Sequence, residues 1–264
     1  MTTMPTNASQ GRAMRGSAAP ARDRVLAGAL IAAGAGTAAV ALLGPLVADV
    51  IVYHVSPGAL NQIAGGDVAG LTVVAPVSIL AGVLVLLRHR AGAVLALGPA
   101  GYIAYTATQL ALGGDPGRYP GNSERFFPLY LGLLVLALLI GVRAWNAIDL
   151  ERLPAPGRGV NRALGTFALV VAGFLALGLH LPGLLDAWSA QPSAPEYLAD
   201  PVVFWLVKLM DLGLVVPALL AVGWGTLRRA PGVQRATYAV AGWMAMLGTA
   251  VAGMAVVMQV TGDP

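Results

Sequence analysis

The 264-residue sequence contains no cysteine. That excludes disulfides, thiolate nucleophiles and cysteine-ligated metals. Charge is scarce as well, at 11% of residues, where an ordinary globular chain carries about 25%. Lysine occurs once, as Lys208. The three histidines include no H-x-x-x-H pair, so no metal centre is predicted. There is no phosphate-binding G-x-x-x-x-G-K-[ST] loop and no G-x-S-x-G nucleophile elbow. The connections between apolar runs are too short to hold a soluble catalytic domain.

What the chain does have is apolar length. Hydrophobic residues make up 57% and the mean hydropathy is +0.75. Several runs reach the roughly 20 residues a helix needs to cross a bilayer, and none shows the ten-residue alternation of a transmembrane strand. The expected fold is therefore an all-α membrane protein of seven transmembrane helices, near 25–53, 67–87, 91–113, 126–147, 163–185, 202–227 and 234–260. Residues 25–262 form a single domain, and residues 1–24 read as a disordered tail rich in small and polar residues. Arg12, Arg15, Arg22 and Arg24 of that tail are placed to meet anionic headgroups. The first apolar run is too long for a cleaved signal peptide, so it is read as a retained span.

Basic residues orient the chain. The tail, the turn with Arg88 and Arg90, the loop with Arg143, Arg152, Arg158 and Arg162, and the turn with Arg228, Arg229 and Arg235 fall on one side. Only Arg118, Arg125 and Lys208 are left elsewhere. The positive-inside rule then predicts a cytoplasmic N-terminus and an outer C-terminus. The outer connections are acidic, with Asp67, Asp115, Glu124, Asp186, Glu196 and Asp200. The expected location is a prokaryotic plasma membrane. An internal echo accompanies this threading: His54, Pro57 and Gly58 follow the first span much as His180, Pro182 and Gly183 close the fifth, and Pro76 and Gly82 in the second recur as Pro217 and Gly223 in the sixth. Two parallel three-helix repeats joined by the fourth helix fit that pattern.

Ionisable groups inside apolar runs are costly, and they mark the candidate site. Lys208 and Asp211 share a helix face at i, i+3 and are expected to pair, either as a relay or as a neutralised packing element. When Pro76 is aligned with Pro217, Asp67 falls on Lys208. Tyr102, Tyr105, Thr106 and Gln109 follow at i, i+3, i+4, i+7 and predict one polar stripe on the third helix. Asp49, His54 and His180 complete an expected polar set in the outer half, with interfacial His and Asp as the plainer reading. A lysine in a seven-helix chain invites a retinal Schiff base, but Lys208 falls in the sixth span rather than the seventh. No cofactor is predicted.

Gly66-Asp67, Tyr102 and Tyr105, Phe127 to Tyr130, and Asp211-Leu-Gly with Pro217 resemble an uncharacterised family of prokaryotic multi-pass membrane proteins, over spans two to four and six. Lys208 lies outside that pattern. The resemblance implies architecture and no assigned activity. The expected function is a small-solute or ion carrier or channel with a polar cavity in its outer half. The alternative is a non-catalytic sensor or assembly subunit, whose partner is another protein or a second copy. The expected surroundings are the lipid bilayer, with a small solute or ion as ligand and no nucleic acid. A lipid-directed enzyme ranks below both, because no catalytic set is recognisable.

Overall fold

Long apolar stretches with no water to satisfy their backbone must pair it within the segment, so they form helices. In the computed structural model, which describes residues 23–153 and 156–262, the long helices are α1 (Arg24–Leu43), α2 (Pro57–Leu86), α3 (Ala91–Leu112), α4 (Phe127–Ala147), α5 (Arg158–Ala187), α6 (Pro201–Arg228) and α7 (Val233–Thr261). No strand occurs among the described residues. The tail reading of residues 1–24 falls almost wholly outside them. All of these helices except α3 are long and apolar enough to cross a membrane. The 22 residues of α3 include two tyrosines, two threonines and a glutamine, which dilute its hydropathy.

The first helix is shorter than predicted. Gly44 precedes Pro45 and takes an extended conformation (ψ −170°), as the clash with a following proline ring requires. The chain from Gly44 to Ser56 then runs as an irregular segment, and α2 begins at Pro57, ten residues before the predicted start. Asp67 interrupts the hydropathy there and reads as a loop residue. In fact it is inside α2 and buried.

Among the described residues three π-helical turns interrupt the bundle: Gly70–Val74 in α2, Phe174–His180 in α5 and Asp211–Val215 in α6. Each ends two residues before a proline, at Pro76, Pro182 and Pro217. A proline lacks the amide hydrogen that the carbonyl four residues back would accept, and its ring pushes that carbonyl away. Here the residue before each proline pairs one step further back: Ala75 with the Gly70 carbonyl, Leu181 with Ala176, and Val216 with Asp211. The wider turn thus absorbs the proline without leaving the helix open.

The shift that carries Pro76 onto Pro217 also carries the π turn of α2 onto that of α6, and Gly82 onto Gly223. The two glycines have matching surroundings. A side chain on Gly82 would meet the Ala27 carbonyl at 3.0 Å and then Leu30 and Ile31 of α1. On Gly223 it would meet the Gly165 carbonyl at 3.0 Å and then Ala168 and Leu169 of α5. Gly98 of α3 and Gly242 of α7 press backbone to backbone against each other.

Buried side chains form two clusters. The larger joins α1–α4 with α7; the smaller lies between α5 and α6 and reaches the rest through Tyr105, Val240, Trp243 and Met244. Outside, Phe167, Val170, Phe174, Leu177, Leu181 and Leu185 make an exposed apolar stripe along α5, a surface suited to lipid.

Contacts sort the connections into two ends. At one end Arg143 of α4 bonds Asp23 at 3.0 Å, and Arg235 of α7 donates to the Ile148 carbonyl. Burial works against ionisation of Asp23. The hydrogen bonds from Arg143 and the Leu26 amide, with the Arg143 charge, more than offset it and hold the carboxyl below its usual range. At the other end the segment 44–56 is laced to the α3–α4 connection and to the start of α6. The Ser56 amide donates to Asp200, and the Tyr119 hydroxyl donates to the Ala199 carbonyl.

Candidate functional site

Asp211 opens the π turn of α6 and is the centre of the site. The Tyr105 hydroxyl of α3 donates to its Oδ1 at 2.6 Å. His180, the last residue of the π turn in α5, meets its Oδ2 through Nε2 at 2.8 Å. Three helices therefore converge on one carboxylate. Both partners of the His180–Asp211 pair sit at π turns, and Tyr105 is fixed edge-on against Trp243 of α7 at 6.3 Å between ring centroids. The triad also spans the seam between the two core clusters, since Tyr105 packs against the α5–α6 cluster.

The geometry constrains the protons. A carboxylate oxygen accepts, so Nε2 of His180 carries a hydrogen. Its Nδ1 is buried and has no hydrogen-bond partner among the described residues. With neutral imidazole the His–Asp pair carries one negative charge and Nδ1 presents a free lone pair. One added proton at Nδ1 makes the pair neutral overall.

Lys208 does not pair with Asp211 as expected. Both carboxylate oxygens are taken, and the ammonium lies over the Phe204 ring at 3.4 Å from its centroid. A ring face attracts a cation through its quadrupole, most strongly where water is excluded, and Lys208 is only 8% exposed. Gly183 of α5 leaves the room it occupies: a side chain there would come within 3.3 Å of Nζ.

His180 does not end its helix as expected. The helix continues through it to Ala187, and it is 3% exposed. The signal for this was Pro182, spaced from its π turn like Pro76 and Pro217. The expected stripe on α3 divides in two. Tyr105, with Gln109 near its hydroxyl, faces α6. Tyr102 turns to α2, where its hydroxyl donates to the Gly66 carbonyl at 3.2 Å, and Thr106 lines a cavity beside Asp67.

His54 and Asp49 are not part of this cluster. Asp49 is exposed, at a left-handed φ of 49°. His54 clasps the end of the bundle. Its Nδ1 faces the Tyr119 carbonyl at 2.8 Å and its Nε2 the Glu124 carboxylate at 2.7 Å. Both neighbours accept hydrogens, so the ring is held as imidazolium. The Glu124 hydrogen bond and then the Tyr119 carbonyl raise its pKa, and His54 in turn lowers that of Glu124. The resemblance in sequence between the stretches after His54 and around His180 therefore has no counterpart in their settings.

No family model matches the sequence, and no curated protein or solved structure matches it.

Proposed function

We propose that the protein is a proton-linked carrier for a small solute or ion, with Asp211, His180 and Tyr105 as the protonation site. The carrying observation is the His–Asp–Tyr cluster itself: a carboxylate and an imidazole buried together at two π turns, with an unpartnered Nδ1. Polar groups are retained inside apolar bundles at a cost of several kcal/mol, and π turns recur at functional sites. In this reading the chain crosses a plasma membrane seven times, α3 included, with its N-terminus in the cytoplasm. Helices α1–α3 and α5–α7 are parallel repeats, an organisation transporters use. Matching glycine contacts in α1–α2 and α5–α6 support it. Asp67 and Lys208 then occupy equivalent places, each against a glycine, Gly44 just beyond the end of α1 and Gly183 within α5. The seam between the two core clusters supplies a surface along which α5 and α6 rock.

The experiment is dissipation of an imposed pH gradient in vesicles holding the purified protein, screened across classes of small solutes. At least one solute class is expected to accelerate proton movement, and Asp211→Asn is expected to abolish that acceleration while leaving the protein folded. Acceleration that survives Asp211→Asn would remove the proposal.

A further inference from the structure

Asp67 Oδ2 is buried without a hydrogen-bond partner among the described residues, and near it the buried hydroxyls of Tyr53 and Tyr130 meet each other. Asp67 is 7% exposed and stands three residues before the π turn of α2. It lines a cavity of about 30 Å³ together with Thr37, Tyr102 and Thr106. Tyr53, Tyr102 and Tyr130, from the 44–56 segment, α3 and α4, all lie close enough to feel its charge, and among the described residues no basic side chain forms an ion pair with it. The Oδ2 oxygen presses towards Gly44, where a side chain would come within 2.7 Å of it. Leaving a buried carboxylate oxygen unpaired is costly, so Asp67 Oδ2 calls for a ligand.

We infer that Asp67 is the charged ligand of a binding site for one small monovalent cation, completed by the hydroxyl oxygens of Tyr102 and Thr106 that line the same cavity. The donors are all oxygen, which suits a hard cation and disfavours soft metals. One carboxylate balances one positive charge; a divalent ion would leave a net charge in the apolar bundle, which is costly. The cavity is larger than the roughly 10–15 Å³ a single water requires and too small for an organic cation. Its counterpart in the other half of the chain already carries a cation of its own, the Lys208 ammonium, tethered in the equivalent place. Tyr102 and Tyr105 lie one turn apart on α3, so one helix contacts both the Asp67 and the Asp211 clusters. The site stands on its own geometry and holds whether or not Asp211 moves protons.

The test is thermal unfolding of the full-length protein in sodium, potassium, calcium or choline chloride at equal ionic strength and fixed pH, with direct binding of radioactive sodium alongside. A ligand that binds only the folded state stabilises it in proportion to the logarithm of its concentration. Sodium or potassium is expected to raise the midpoint relative to choline, and calcium is not. The response should vanish in Asp67→Asn and persist in Asp211→Asn. Should Asp67→Asn fail to fold, Thr106→Val and Tyr102→Phe serve instead; each removes one oxygen and is expected to weaken sodium binding by roughly 10- to 100-fold. Equal midpoints in all four salts, stabilisation by calcium alone, or a sodium response retained in Asp67→Asn would each overturn the inference; the first is the outcome expected of a carboxyl that holds only a proton.

Discussion

Asp211 stands out in the sequence because a carboxylate in an apolar run has few explanations. Its partners do not, because hydrogen bonds are made across helices while a sequence displays neighbours along one. Lys208, one turn away on the same helix, looks like the counter-ion, yet a side chain on another helix reaches the carboxylate first. The Tyr105 hydroxyl bond to that carboxylate is short and charge-assisted. Tyr105→Phe is therefore expected to cost about 1.5–3 kcal/mol in chemical unfolding, with the Trp243 contact retained. The His54–Glu124 clasp yields a pH-dependent prediction. His54 has its pKa raised, so its contribution is complete below the ordinary histidine value, about 6.5, and is lost as pH rises through the raised folded value. Glu124 has its pKa lowered, so its contribution is present above the ordinary value of 4.5 and is lost as pH falls through the lowered one. The gap in thermal midpoint between wild type and Glu124→Gln should be widest near pH 6 and close as pH rises through the raised His54 value.

At the scale of the element, the positions of α3 to α7 were legible to within a few residues, because apolar length and flanking charge both mark them. The ends of α1 and α2 were not. Pro45 reads as one of several prolines inside an apolar run, and only the extended Gly44 before it reveals a stop rather than a kink. Asp67 reads as the edge of a helix because hydropathy averages out the ten helical residues before it. The π turns have no composition of their own, but their shared spacing to Pro76, Pro182 and Pro217 is visible once known. The glycine pair supplies a prediction for the helices. Gly82→Leu and Gly223→Leu push against equivalent backbone carbonyls at 3.0 Å. Each is expected to destabilise by about 1–3 kcal/mol through overpacking, and the two should differ little when measured by unfolding under the same conditions. A large effect at one and none at the other would argue against equivalent halves.

At the scale of the whole molecule, the absence of cysteine makes the threading directly measurable. A cysteine at Ser189, between α5 and α6, is expected to react with an impermeant maleimide in intact cells. A cysteine at Ala230, between α6 and α7, should react only after the membrane is opened. In the proposed function, the division of the core into two clusters with the Asp211 triad on their seam makes that carboxylate the place where proton binding and helix movement meet. The most direct measurement of that claim is the transient current evoked by a pH jump across membranes containing the purified protein. Wild type should show a charge displacement that saturates with proton concentration, His180→Gln a diminished one, and Asp211→Asn none despite an unchanged amount of folded protein. A displacement of wild-type size in Asp211→Asn would contradict the account.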